Sequence, residues 1–143
     1  MTHYYRYYVL VMLTVVSMIN IMDRLILSIL LEDIKAEFTF TDTQLGVLAG
    51  LAFALFYALM SIPIARWADI SNRKNILAAA LIIWSGMTAL CGAATGFVSL
   101  FLARLGVGIG EAGGSPPSYS IIADYFKPSE RARAMGVYVT GSV

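Results

Sequence analysis

Residues 45–64 and 76–95 of this chain contain no Asp, Glu, Lys, Arg or His. A helix needs roughly 20 consecutive apolar residues to cross the hydrocarbon core of a bilayer, and each stretch is about that long. A third stretch, 8–31, is interrupted only by Asp23-Arg24, and a fourth, 98–123, carries only Arg104 and Glu111. A fifth begins near Ala134 and runs to Val143. This pattern predicts an all-α fold: a polytopic membrane helix bundle with four transmembrane helices and the start of a fifth. Composition agrees, because 59% of residues are hydrophobic and 13% charged, against about 45–50% and about 25% for a soluble domain. Too few charges are present to coat a globule.

Several function classes fall away. Ten basic against nine acidic residues leave no bulk positive charge for nucleic acid. One cysteine, Cys91, cannot close an internal disulfide, and with a single histidine, His3, there is no Cys/His metal site. Gly108-Ile109-Gly110-Glu111-Ala112-Gly113 has the spacing of a dinucleotide fingerprint. That fingerprint works only where a strand turns into a helix N-terminus, and here it lies mid-span. Gly113-Gly114-Ser115 hints at a nucleophile turn, but Pro116-Pro117 follow it and His3 precedes the first span. No enzyme, cofactor or metal is expected. An uncleaved first helix is expected rather than the rival reading, a cleavable signal peptide, because Asp23-Arg24 is followed by renewed hydrophobicity without a small-residue cleavage site.

Orientation follows from the basic residues. With the N-terminus inside, the inner segments hold Arg6, Arg66, Arg73, Lys74, Lys127, Arg131 and Arg133, and the outer ones only Lys35. Such a bias places the N-terminus in the cytoplasm. The expected location is integral and multi-pass, in a bacterial inner membrane.

Helices in lipid approach closely through small residues. Gly46, Gly50, Ala54 and Ala58 recur every four residues on the second helix, and Gly106, Gly110 and Gly114 on the fourth. Both stripes are expected to be contact faces. Pro116-Pro117 should bend the fourth helix, because two backbone donors are missing there.

The four charges inside spans are the candidate functional residues. Intramembrane charges cost about 2.5–3.5 kcal/mol each at the bilayer centre even on the lenient insertion scale, and usually mark ion, proton or substrate pathways. Asp23 and Arg24 are adjacent and therefore point about 100° apart, so they cannot simply neutralise each other. Arg104 and Glu111, two turns apart, share one face. Counted by rise per residue, Arg24 and Glu111 reach similar depths, which allows a cross-helix pair with Asp23 and Arg104 as second members. Two acids and two bases converging at one depth suggest a proton-coupled binding site.

The loop Ala65-Arg66-Trp67-Ala68-Asp69-Ile70-Ser71-Asn72-Arg73-Lys74 resembles the major facilitator superfamily signature, Gly-x-x-x-Asp-(Arg/Lys)-x-Gly-(Arg/Lys)-(Arg/Lys). Asp69, Arg73 and Lys74 match, whereas Ala65, Ile70 and Asn72 depart. Arg104-Leu105-Gly106-Val107-Gly108-Ile109-Gly110 and the run Phe126 to Gly136 are similar to two further superfamily motifs. Ile19-Asn20-Ile21-Met22-Asp23-Arg24, Asp42-Thr43-Gln44-Leu45-Gly46, the run Gly50 to Ala58, and Gly108-Ile109-Gly110-Glu111-Ala112 resemble the spinster-like branch.

This resemblance implies a secondary transporter of alternating access, proton-coupled, carrying a lipid-like or organic-anion substrate. Asp23 would titrate, Arg24 and Glu111 would be its switching partners, and Arg104 a substrate or coupling residue. It further implies a cytoplasmic gate of Asp69, Arg73, Lys74 and Asp124. There Arg73 would bridge to Asp124 and Asp69 would cap a helix of the second half. Asp69 and Arg73, four apart, can share a face if the third helix has already begun. Such transporters have two six-helix halves, so residues 1–143 read as part of the N-terminal half, with the rest of that half and the C-terminal half absent. The ending Gly141-Ser142-Val143 reads as a truncation, and a fragment without transport activity, or a helical partner for another membrane protein, is the competing reading.

Overall fold

A computed structural model describes residues 3–142, apart from the side chains of His3 and Ala52. The order is α1 (His3–Phe38), α2 (Asp42–Gly46), a π-helical turn (Val47–Leu51), α3 (Ala52–Ile70), α4 (Arg73–Gly92), α5 (Phe97–Ala112), α6 (Ser115–Tyr125) and α7 (Pro128–Thr140). Four continuous segments are long and apolar enough to cross a membrane: Tyr4–Phe38, Asp42–Ile70, Arg73–Gly92 and Phe97–Tyr125. They run alternately up and down, and α7 starts a fifth passage at the end of the bundle where α1 began.

Helix boundaries differ from the sequence expectations for local reasons. The first helix, expected over 8–31, runs His3–Phe38, because its polar ends are as helix-competent as its apolar centre. It stops at Thr39, in the left-handed region at φ 54°. The second begins before residue 45. Thr41 accepts from the Gln44 backbone N–H at 3.3 Å while the Gln44 amide oxygen accepts from the Thr41 N–H at 2.9 Å, a reciprocal cap that satisfies two orphan donors. The third, expected over 76–95, is α4 and ends at Gly92. The fifth begins at Pro128 rather than Ala134, since proline suits the first helical turn; its expected end, Val143, lies outside the described residues.

The fourth span breaks rather than bends. Pro116 and Pro117 occupy the first turn of α6, Gly113 and Gly114 form the joint, and the Ser118 hydroxyl donates to the Gly114 carbonyl at 2.6 Å. Proline rings remove two N–H groups where a helix start has no intrahelical use for them.

Close packing concentrates between α4 and α5. A Cβ on Gly110 would stand 2.7 Å from the Trp84 backbone nitrogen, and one on Gly113 would stand 2.6 Å from the Ala80 Cβ. Gly114, expected in this stripe, meets only the Glu111 carbonyl of its own chain turn. It is Gly113 that continues the face. The second expected stripe is not a contact face among the described residues: Gly46, Gly50, Ala54 and Ala58 are all exposed, and nothing lies within 4 Å of a Cβ placed on either glycine. A run of small residues identifies a surface that permits close approach, without saying which partner uses it.

At the α1 start, Arg6 Nη1 donates to Glu130 Oε2 at 2.8 Å and joins α1 to α7. Glu130 lies in the first turn of α7, outside the spanning helices. The hydrogen bond from Arg6 lowers its carboxyl below the ordinary value of 4.5. A lowered native value means the contact contributes fully above the ordinary range and is lost as pH falls through the lowered value. Amide protection in the first turn of α7, measured as exchange relative to the intrinsic rate at each pH, is therefore expected to fall between about pH 6 and about pH 3, and to be low at both in Glu130→Gln. Parallel pH trends in wild type and variant would refute the tether.

Candidate functional site

Midway along α1, Asp23 and Arg24 turn to different neighbours. Arg24 crosses to α5, where its Nε and Nη2 both lie 2.7 Å from Glu111 Oε2. Glu111 is 1% exposed, and its other oxygen, Oε1, has no hydrogen-bond partner among the described residues. The guanidinium also sits over two rings of α3, 4.8 Å from the Phe53 centroid and 5.2 Å from that of Tyr57. Those residues are one turn apart and stack on each other. Aromatic faces attract a cation without neutralising it, so Arg24 keeps its charge for Glu111.

Asp23 faces α4 instead. Its Oδ2 accepts from the Trp84 indole N–H at 3.1 Å and from the Thr88 hydroxyl at 3.2 Å. Asp23 and Arg104, expected as second members beside the Arg24–Glu111 pair, both lie at this centre but not bonded to each other: Arg104 makes no ion pair among the described residues. It is 5% exposed, its Nε has no hydrogen-bond partner, and its guanidinium lies 5.5 Å from the same Phe53 ring. The reason is geometric, since the two donors on α4 draw Asp23 to that helix.

Two cavities flank the centre and share no lining residue. One, of about 140 Å³, is lined by Asn20, Arg24, Tyr57, Trp84, Ser115 and Tyr119, among others. The other, of about 380 Å³, runs toward the far end of α1. Its polar lining includes Asp23, Thr88 and Arg104, and its apolar wall Leu27, Leu30 and Phe38. Adjacent residues of one helix therefore open onto separate spaces.

The second cluster lies at the bundle end where α1 starts. Arg73 Nη1 donates to Asp124 Oδ2, linking the first turn of α4 to the end of α6. Asp69 and Arg73 do not share a helix, because α3 continues through Ile70 and α4 starts at Arg73. Asn72 takes the turn position where the superfamily signature has glycine. It does so at φ −72°, with its side chain accepting from the Lys74 N–H at 3.1 Å. That turn needs no left-handed residue. Asp69 and Lys74 line the same shallow depression as Arg73 and Asp124.

Both partners of the Arg73–Asp124 pair are partly exposed, so about 0–1 kcal/mol of stability is at stake. Any larger effect must come through function. On the gating role that the resemblance implies, Arg73→Asp in the full-length protein is expected to slow transport roughly tenfold, about 1.4 kcal/mol on the rate-limiting step, and adding Asp124→Arg to recover most of it. Normal transport by both single variants would reduce Arg73 to a topology charge.

Phe53, Tyr57, Trp84 and Thr88 went unassigned from sequence. An indole N–H buried in a charge-free span needs an acceptor, and the spans contain only two acids; that was the available signal for Trp84. Nothing comparable marked Phe53.

Comparison with known proteins agrees with this geometry. The chain superposes on a bacterial homolog to the human lysosomal transporter Spinster, solved inward-facing in unoccupied and occupied conformations. The TM-score is 0.95 with 48% identity, over 99% of this chain and 30% of that one. An MFS-type efflux pump of Mycolicibacterium smegmatis is 38% identical over 125 residues, 87% of this chain and 29% of the pump. A D-galactonate transporter of Escherichia coli is 34% identical over 136 residues, 95% of this chain and 31% of that protein. The chain thus spans about 30% of the length of these relatives. With residues 13–143 matching the sequence profile of the Major Facilitator Superfamily, four apolar spans in place and this overlay, the chain belongs to that superfamily and is a multi-pass membrane protein of spinster-like structure.

Proposed function

We propose that these residues supply the first helices of the N-terminal half of a proton-coupled secondary transporter that works by alternating access. The observation that carries this reading is the Arg24–Glu111 pair, which bridges α1 and α5 deep in the bundle beside a cavity that Arg24 itself lines. A buried ion pair in lipid is an expensive way to fix helix register, whereas a guanidinium with two alternative anions is a switch. When a proton reaches Asp23, Arg24 and Glu111 are left as the charged pair. When an anionic substrate arrives, it competes with Glu111 for Arg24. The orphan Glu111 Oε1 and Arg104 Nε are polar groups still lacking partners, as expected of a site that works with a substrate.

The substrate class that fits is an organic anion. One guanidinium lining a cavity with Tyr57, Tyr119, Asn20 and Ser115 suits a carboxylate or similar head group bearing hydroxyls. The D-galactonate transporter relative supports this. A lipid-like anion is the second reading, favoured by the apolar wall of the larger cavity and by the Spinster-like neighbour. The basic residues gathered at the α1 start support a cytoplasmic N-terminus, and the bacterial relatives it matches support a bacterial inner membrane. Lys74 and Asp69 complete the inner gate with Arg73 and Asp124, and the remaining helices of both halves are its partners.

The test is Asp23→Asn in the whole transporter. Transport is expected to lose its pH dependence while the protein remains folded in the membrane. An unaltered pH profile would remove Asp23 as the coupling residue.

A further inference from the structure

Trp84 and Thr88 stand one turn apart on α4, and both donate to the same oxygen of Asp23, Oδ2. Trp84 is buried at 5% exposure. Its backbone is pressed against Gly110, the residue before Glu111. The same indole lines the smaller cavity with Arg24, while Thr88 lines the larger one with Asp23. We infer that Trp84 and Thr88 are positioning residues: they clasp the Asp23 carboxylate to α4 and keep its charge off Arg24, leaving that guanidinium to Glu111.

The chemistry of the two donors differs in a useful way. An indole N–H only donates, whereas a hydroxyl both donates and accepts. Trp84 can therefore only donate to Asp23 Oδ2, whereas Thr88 can also rotate its hydroxyl to accept. The charged or titratable groups facing Asp23 are Arg24 on its own helix, Cys91 on α4, and Arg104 and Glu111 on α5. Of these, Arg24 is the only cation in an ion pair within the described residues, so what restrains Asp23 also decides where Arg24 points. This inference deepens the proton-coupling reading and rests on it for its functional part; the clasp itself is tested without it.

The structural arm uses the 143-residue chain in bilayers, labelled with ¹⁵N. It has two tryptophans, so Trp67→Phe assigns the indole signals. Asp23→Asn is expected to shift the Trp84 indole N–H resonance. Trp84→Phe and Thr88→Val are each expected to shift the Arg24 Nε–H resonance as Arg24 turns toward the freed carboxylate, and Thr88→Ser to leave it in place. The functional arm is transport by the whole protein. Its pH midpoint should shift in Trp84→Phe and in Thr88→Val and return to the wild-type value in Thr88→Ser. Thr88→Val, close to isosteric, decides the matter if Trp84→Phe fails to fold. An indole resonance blind to Asp23→Asn, or an Arg24 resonance blind to both α4 variants, overturns the clasp. If the resonances move while Asp23→Asn transports with a normal pH profile, the coupling reading falls and the clasp stands.

Discussion

Arg24→Ala is expected to reduce transport at least about 100-fold, the largest effect of any single substitution in this chain. Removing one partner of a buried ion pair costs about 3–5 kcal/mol, because the other charge is left in a low-dielectric site. The low end applies here, since the Arg24 side chain is 36% exposed while that of Glu111 is fully enclosed. Where that cost falls on the conformational step that the pair bridges, about 3 kcal/mol corresponds to roughly two decades in rate. Arg24→Lys is not expected to rescue. Two nitrogens of the guanidinium lie 2.7 Å from Glu111 Oε2, and its central carbon lies 4.8 Å from the Phe53 ring centroid and 5.2 Å from that of Tyr57. A single ammonium cannot make the two-nitrogen contact and reach both rings at once. A double-mutant cycle separates function from folding. In Arg24→Ala/Glu111→Ala no charge is stranded, so thermal stability should recover relative to either single variant while transport stays low. Transport within threefold of wild type in Arg24→Ala, or strictly additive stability losses, would show that the pair is incidental.

Much of this centre was legible in sequence because charge in lipid is so costly that four residues identified themselves. Depth counting then sufficed to bring Arg24 to Glu111, since rise per residue is fixed in a helix. Rotation about the helix axis was harder. Adjacent residues must point about 100° apart, but the facing helix depends on packing, and this is why Asp23 went to Trp84 and Thr88 instead of Arg104. Neutral donors such as Trp84 are marked only by the need of a buried N–H for an acceptor, which does not say which acid it reaches. The π-helical turn at Val47–Leu51 had no signal, because inserting one residue into a helical turn alters hydrogen-bond register without altering hydrophobicity. The glycines were legible as a class and ambiguous as individuals: Gly110 faces backbone at under 3 Å, and Gly46 and Gly50 face nothing.

That contrast yields the second large expectation, a graded loss of stability across the glycines. A Cβ at Gly110 would stand 2.7 Å from the Trp84 nitrogen and 2.9 Å from its Cα. These are main-chain atoms in mid-helix, with no rotamer through which to escape, so α4 and α5 must move apart along their closest line of contact. At Gly106 the Cβ would instead meet Met87 Cγ, Sδ and Cε at 2.5–2.8 Å, the end of an unbranched side chain that re-packs readily. Gly110→Ala is therefore expected to cost about 3 kcal/mol, the upper end for overpacking. Gly106→Ala should cost under about 1 kcal/mol, and Gly46→Ala should be neutral or slightly stabilising through helix propensity. Thermal unfolding of the three variants in one detergent gives the order directly. The same displacement would carry Trp84 away from Asp23 and Glu111 away from Arg24. Gly110→Ala should accordingly perturb the Arg24 Nε–H resonance, while Gly106→Ala leaves it in place. Equal melting temperatures for Gly110→Ala and Gly106→Ala would mean that the α4–α5 approach is looser than 2.7 Å implies, and that the centre does not depend on it.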